Sequence, residues 1–301
     1  MARRRFLSLL ASPWRDHAGR FAPLKAAVLV GVLIPALDMA VLFEMNALGG
    51  RPVHEMILRC GHWAVRFLLL TLAVTPLRAV LDWPRVLLLR RMLGVTAAAY
   101  AVTHLMLYCA DTGWRPLFVA SEILHHIYLT IGFATLLGLL ALAITSTDGW
   151  QRRLGRRWKK LHRLVFPLAV LALTHYFLQA KADTTDAVFA AGIFVWLAAW
   201  RLSPRRWQGR LALLPALAVL AAILTGLIET AWYGLATHVD AARVLLANFT
   251  IAYGPRPSLE ILLVTALLLP LAAGRRWWKG RRGKARARPW SRKGAEAPLS
   301  P

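Results

Sequence analysis

Residues 126–145, HIYLTIGFATLLGLLALAIT, decide the fold of this chain. The stretch contains no Lys, Arg, Asp or Glu. A helix of about 20 apolar residues spans the hydrocarbon core of a bilayer. Because a backbone in lipid must satisfy its own hydrogen bonds, a segment of this length and composition is predicted to be a membrane-spanning helix.

Seven further apolar segments share this character, although the sixth and eighth segments along the chain are short. They lie at 24–43, 61–81, 92–110, 161–180, 187–202, 211–232 and 259–273. Charged residues make up 17% of the chain, against about a quarter in a typical soluble domain, and they cluster between the apolar segments. The sequence therefore predicts an all-α, polytopic transmembrane helix bundle.

The basic residues are distributed unevenly between the connections. One alternating set of connections, together with both ends of the chain, holds 31 Lys and Arg, whereas the other set holds six. Cytoplasmic loops of membrane proteins carry such an excess, so both termini are predicted to be cytoplasmic. The first helix is expected to be retained rather than cleaved as a signal. The net charge of +24 is then a property of cytoplasmic loops, and nucleic-acid binding is the poorer explanation.

Cysteine usage excludes several classes of redox centre. The chain has two cysteines, Cys60 and Cys109, and no CxxC or CxxCH motif, which argues against iron–sulfur clusters and covalent c-type haem. We interpret the two cysteines as unrelated core residues, with a disulfide at the outer face as the alternative. The chain also lacks GxGxxG, Walker and HExxH motifs, so no soluble NAD or FAD domain is expected.

Histidines within the apolar segments are the candidate functional residues, because ionisable groups in lipid are costly and usually functional. His104 lies about 18 Å along the third segment from its cytoplasmic end, and His175 lies about 21 Å along the fifth. This matched depth suits two axial ligands that approach one haem iron from opposite faces. The alternative is that both are core histidines bonded to neighbouring helices.

His162 lies at the cytoplasmic end of the fifth segment, about 20 Å from His175. The two therefore cannot serve one iron, and His162 is predicted to belong to a separate site. The matching end of the third segment offers Arg90 and Arg91 rather than a histidine. That second site is a second haem or a contact for quinone or flavin.

Arg66 is predicted to lie about one turn inside the outer end of the second segment. A guanidinium there suits a haem propionate or a quinone oxygen. The alternative is that the side chain extends to the outer interface of the membrane. His125 and His126 are interpreted as interfacial residues, and the remaining histidines are given no role.

Five stretches stand out when they are taken together: RFLLLTLAVTPL at 66–77, RRMLG at 90–94, TSTDGWQRRLG at 145–155, WKKLHRLV at 158–165 and HY at 175–176. This combination resembles the MsrQ (YedZ) family, a haem-binding branch of the ferric-reductase-like transmembrane superfamily. The resemblance covers roughly residues 20–202. It implies a haem b with axial histidines at His104, His162 and His175, and a bound FMN for which no residues can be named. It further implies a bacterial inner-membrane location, electrons drawn from the quinone pool, and delivery to the periplasmic molybdopterin subunit MsrP.

The expected organisation is a six-helix haem-binding core plus a C-terminal two-helix extension. Its parts are a cytoplasmic segment at 1–23, the ferric-reductase-like haem-binding domain at 24–202, an additional hairpin at 203–273 and a disordered basic cytoplasmic tail at 274–301 that lies against anionic lipid. The hairpin lies beyond the resemblance. The rival functions are a ferric reductase-type cytochrome b and a proton-coupled transporter with buried histidines. A b-type absorption band in the reduced protein would separate electron transfer from transport.

Overall fold

The computed structural model describes Trp14 and residues 20–180, 183–237, 239–248, 250 and 254–286, with side chains described as far as Arg281. These residues form helices and no β-strand. Eight helical stretches among them are long and apolar enough to cross a membrane. The predicted all-α, polytopic transmembrane helix bundle is confirmed.

The first half of the chain forms three long helices, a short surface helix and a fourth long helix. They are α1 (Pro23–Glu44), α2 (Pro52–Val80), a 3-10 turn (Pro84–Leu89) leading into α3 (Arg90–Asp111), α4 (Pro116–His125) and α5 (Ile127–Ile144). The short helix α4 lies between α3 and α5 and carries exposed apolar side chains such as Leu117 and Leu124.

The second half repeats this alternation of long and short helices. It contains α6 (Asp148–Leu154), α7 (Arg156–Leu161), a 3-10 turn (His162–Leu164), α8 (Val165–Ala180), α9 (Thr185–Leu202), α10 (Leu213–Ala236), α11 (Ala241–Ala247), α12 (Pro257–Ala266) and α13 (Leu268–Arg286). We call the end of the bundle that carries 81–89, 145–164 and 203–212 the basic face. The opposite end, which carries 45–51, 112–126 and 183–184, is the acidic face.

Helix α2 begins earlier than the sequence predicted. It starts at Pro52 rather than near residue 61. Proline suits the first turn of a helix, where its missing N–H is not needed, and the polar residues His54, Glu55 and Arg59 hid that turn from a search for apolar runs. Arg66 therefore lies about 21 Å inside the helix, and its predicted place one turn from the end is wrong.

The basic tail is also more ordered than predicted at its start. Helix α13 continues to Arg286, so residues 274–286 are helical rather than disordered. Arg275 donates to the carbonyl of Leu81 at 2.8 Å, and Arg276 donates to the carbonyl of Val80 at 3.0 Å. Basic side chains that cap the last carbonyls of α2 give this segment a partner that composition alone does not reveal. The predicted disorder of residues 287–301 lies outside the described residues.

The C-terminal extension packs against the core through α9. A Cβ atom on Gly192 would lie 2.6 Å from Cγ1 of Ile261, so the absence of a side chain lets α10 and α12 approach α9 closely. Phe177 of α8 also contacts Trp232 of α10, with ring centroids 5.0 Å apart. The extension thus packs on α9 and on Phe177 of α8.

Both cysteines are free thiols. Cys60 is fully buried in α2, and its Sγ lies 3.5 Å from the carbonyl oxygen of Tyr100 in α3. The interpretation of Cys60 as a core residue is confirmed, whereas Cys109 is only partly buried, and the disulfide alternative is wrong.

Candidate functional site

His104 of α3 and His175 of α8 face each other inside the bundle. Their ring centroids lie 6.3 Å apart, and the ring planes are nearly perpendicular at 86°. Both side chains are largely removed from solvent within the half of the bundle toward the acidic face. The structure therefore brings together the two histidines that depth along the sequence had paired.

Each ring is oriented by a hydrogen bond to a backbone carbonyl. Nδ1 of His104 lies 2.8 Å from the oxygen of Ile57, and Nδ1 of His175 lies 2.7 Å from the oxygen of Tyr128. Because a carbonyl oxygen only accepts, each Nδ1 carries the hydrogen and donates it. The lone pair of each neutral ring is then on Nε2, which is the tautomer needed for binding a metal ion.

The spacing of the two rings fits a shared metal ion. An imidazole nitrogen binds a metal at about 2.0 Å, so two rings on opposite sides of one ion have centroids roughly 6 Å apart. The observed 6.3 Å agrees with that arrangement. Two neutral imidazoles held in this way have the arrangement that the two axial ligands of a six-coordinate haem require.

A cavity of about 730 Å³ surrounds both rings. Its walls come from α2, α3, α4, α5, α8 and α9, and apolar side chains such as Val65, Leu105 and Leu136 form its inner part. This volume lies within the range of about 300–1,000 Å³ that is usual for ligand and cofactor sites. The cavity and the ring spacing together fit a planar cofactor that lies between α3 and α8.

The mouth of the cavity is acidic and lies at the acidic face. Three exposed carboxylates, Asp111, Asp183 and Asp186, line it. Hydrogen bonds from the side chain and backbone N–H of Thr185 hold the pKa of Asp183 below its usual range. That carboxylate is therefore charged at neutral pH and adds negative charge to the opening.

A second group of polar residues lies at the same mouth. Nδ1 of His62 lies 3.8 Å from Oδ2 of Asp186, and the His62 ring lies 4.9 Å from the ring of Tyr176. His54 also lines the cavity. No role is predicted from the sequence for His54 or His62, because an apolar segment that begins at residue 61 leaves both in a loop or at a helix end.

Arg66 lies beside this group and outside the cavity lining. Its guanidinium lies 3.7 Å from Oδ2 of Asp186 and 4.9 Å from the ring centroid of Trp63. The side chain is half exposed. Contact between Arg66 and a haem propionate or a quinone stays a prediction. In the structure, the partner of Arg66 is Asp186.

His162 is not part of this site. It lies in the 3-10 turn at the basic face, where its ring stacks on Trp158 with centroids 3.9 Å apart. Its Nδ1 lies 3.1 Å from the carbonyl of Trp158, and its Nε2 lies 3.2 Å from Oγ of Ser146. Both ring nitrogens therefore have partners within the protein. The prediction that His162 and His175 do not share one site is consistent with this placement.

Comparisons with known proteins identify a family and relatives to which the chain is similar. Residues 60–173 match the family described as ferric reductase like transmembrane component, a stretch that contains His104 and His162 and ends just before His175. The chain is 45% identical over 172 residues to a protein of Xanthomonas euvesicatoria pv. vesicatoria named protein-methionine-sulfoxide reductase heme-binding subunit MsrQ. That match covers 55% of this chain and 78% of the relative.

A relative of the same name from Rhodospirillum rubrum matches over a longer stretch. It is 41% identical over 201 residues, which are 65% of this chain and 94% of the relative. No solved structure matches the chain. The greater part of this relative corresponds to about two thirds of the chain, which leaves a substantial part of the chain without a counterpart in it.

Proposed function

The chain belongs to the MsrQ family, and from this premise we propose that it is a haem b electron-transfer subunit of the bacterial inner membrane. It passes electrons from the quinone pool, with FMN as a further carrier, to the periplasmic molybdopterin methionine sulfoxide reductase MsrP. The observation that carries the proposal is the pair His104 and His175, with rings 6.3 Å apart and both Nδ1 atoms bonded to carbonyls.

A haem b at this site supplies one-electron oxidation and reduction. The protein's contribution is to hold the cofactor in place and to shield it from water. His104 and His175 would hold it from two different helices, so the site would be rigid only when α3 and α8 are packed together. Apolar walls such as Val65 and Leu136 exclude water from the inner half of the cavity and keep the local dielectric constant low.

The position of the cavity supports delivery toward the acidic face. Its mouth lies at the level of Asp111 and Asp183, and its inner end lies deeper in the bundle. In the proposed orientation, with both termini cytoplasmic, the acidic face is periplasmic. Electrons held near that face are close to a soluble acceptor that docks there.

The carboxylates of the mouth favour an acceptor with a basic contact patch. Asp183 and Asp186 lie on the rim, and Asp183 is charged at neutral pH for the reason given above. Opposite charge on the partner would steer the encounter, and this electrostatic attraction would weaken with added salt. Docking at this rim is therefore expected to slow as ionic strength rises.

Electron entry is assigned to the basic face. The segment 156–160 there, RRWKK, suits an anionic group such as a flavin phosphate. His162 lies directly after it, and both of its ring nitrogens have protein partners. We favour a contact to quinone or flavin over a second haem for His162.

Reconstitution tests the proposal. Membranes that contain the protein, supplied with quinol and purified MsrP, are expected to reduce methionine sulfoxide. Membranes with His104→Ala are expected to be inactive, whereas His125→Ala serves as the control, because that exposed histidine bonds only within α4. An equal rate with the His104→Ala protein would show that electrons do not pass through this chain.

A further inference from the structure

The two axial histidines are held by the same local arrangement, which occurs twice. Nδ1 of His104 bonds to the carbonyl of Ile57, which lies 47 residues earlier, and Gly61 follows that carbonyl by one helical turn. Nδ1 of His175 bonds to the carbonyl of Tyr128, again 47 residues earlier, and Gly132 follows it by one turn. We call each carbonyl with its glycine a carbonyl–glycine notch.

The helix directions repeat as well. Both notches lie on helices that run from the acidic face to the basic face, α2 and α5. Both histidines lie on helices that run the other way, α3 and α8. The pairs α2–α3 and α5–α8 thus share the same combination of helix directions.

Helix geometry explains why a glycine belongs in each notch. A side chain on a helix covers the turn before its own Cα, so a residue one turn after a carbonyl lies over that carbonyl. In the helix the carbonyl already accepts one N–H, and its second lone pair is free for a side chain only if nothing covers it. Glycine leaves it uncovered.

The distances show how closely each ring fills its notch. A Cβ atom on Gly132 would lie 2.7 Å from Cε1 and 2.8 Å from Nδ1 of His175. A Cβ atom on Gly61 would lie 3.1 Å from Nδ1 of His104. The first ring could not stay in place beside an alanine, whereas the second would have to move by only a few tenths of an ångström.

We infer that Gly61 and Gly132 are positioning residues that fix the tautomer and the nearly perpendicular orientation of the two axial imidazoles. This inference rests on the proposed function. Hydrogen bonds from a ligand's second nitrogen raise its basicity, and their loss typically lowers metal affinity or activity by about 10–100-fold. A more basic axial ligand favours the ferric state, so closing a notch is expected to raise the midpoint potential.

The test compares three glycine variants of the full-length purified protein. Gly132→Ala is expected to weaken haem retention by about 10–100-fold. In the haem that remains, the low-spin ferric signal in electron paramagnetic resonance should lose the single large g value typical of perpendicular imidazole planes, and the midpoint potential should rise. Gly61→Ala should also alter the large g value and raise the midpoint potential, but by a smaller amount.

Gly138→Ala is the matched control. Gly138 lies on the same helix as Gly132, and its added Cβ would overlap the flexible side chain of Leu168 on the histidine helix α8. It therefore reports the cost of crowding α5 against α8 without touching a ring. Its thermal stability should fall while its g values and midpoint potential match those of the unmodified protein.

Two results would overturn the inference. One is a folded Gly132→Ala protein with unchanged g values and potential, and the other is a Gly138→Ala protein with an equal spectroscopic shift. If Gly132→Ala does not accumulate, the decision passes to Gly61→Ala, for which an unchanged spectrum counts against the inference. Failure of the proposed function is distinguishable, because His104→Ala membranes would then reduce methionine sulfoxide at the rate of the unmodified protein.

Discussion

Histidines at the two ends of one helix show how differently the same residue type can be used. His175, within α8, has one nitrogen bonded to the carbonyl of Tyr128 and the other available, and its ring faces His104 across a cavity. His162, in the turn before α8, has both nitrogens engaged and its ring stacked on Trp158.

The contrast identifies what prepares a membrane histidine for a ligand. Partial burial alone does not, since both side chains are partly buried. The difference is that His175 has one oriented nitrogen, one free nitrogen and empty space in front of it. His162 instead bonds to Ser146 and so connects the end of α7 to the end of α5. Its contacts are those of a structural residue beside a basic surface.

Removal of an axial histidine should have the largest effect. His104→Ala and His175→Ala are each expected to remove most of the haem, because each deletes one of two axial bonds. Reduced-minus-oxidised absorption of the purified proteins measures this. Full haem retention in both variants would show that His104 and His175 are not the haem ligands.

His162→Ala should affect kinetics more than cofactor content. The variant loses a side chain beside the basic segment 156–160 and is expected to slow reduction by quinol several-fold while the absorption spectrum of the haem stays unchanged. Stopped-flow reduction of the haem gives the rate. A rate equal to that of the unmodified protein would remove His162 from the electron-entry side, and loss of haem would make it a ligand.

Glu229 offers a test within the extension. It is 1% exposed, and its carboxylate accepts from Asn248 at 2.9 Å and from Arg256 at 3.2 Å. Glu229→Gln weakens both charge-assisted bonds and is expected to cost about 1–3 kcal/mol of stability. Thermal unfolding followed by tryptophan fluorescence should show the loss, with the haem spectrum unchanged. A changed spectrum would show that the extension shapes the site.

The smallest effect is expected where α13 contacts the end of α2. The ammonium of Lys279 bonds to Asp82 and lowers the pKa of that carboxyl from its ordinary value of 3.8. The Lys279–Asp82 ion pair therefore contributes fully to stability when the pH is above the ordinary pKa of the carboxyl. This contribution is lost as the pH falls through the lowered pKa of Asp82 in the folded protein. Melting temperatures of Lys279→Ala and the unmodified protein should differ slightly at neutral pH and converge below about pH 4. A difference that persists at acid pH would assign the effect to packing.

The spans and the paired histidines could be predicted because each depends on a fixed property of helices. Hydropathy over about 20 residues locates a span, and a constant rise of about 1.5 Å per residue places His104 and His175 at one depth. The start of α2 was missed because its first turns are polar. An apolar run marks only the part of a helix that lies in lipid, so the polar turns before it carry no such signal.

The finer features of the site depend on rotation and packing, which composition does not encode. Contact between His62 and Asp186 requires α2 and α9 to meet in one register. The notch at Gly132 requires α5 to turn its bare Cα toward a histidine on another helix. The order at the start of the basic tail depends on carbonyls at the end of α2, almost 200 residues away in sequence.

The central claim is that His104 and His175 hold one iron between them. Electron paramagnetic resonance of the oxidised, purified protein, with haem quantified per chain, tests it most directly. The account predicts one haem per chain, a low-spin signal with a single large g value, and no binding of carbon monoxide after reduction. A high-spin signal, binding of carbon monoxide, or a low-spin signal that survives the double change His104→Ala and His175→Ala would contradict it.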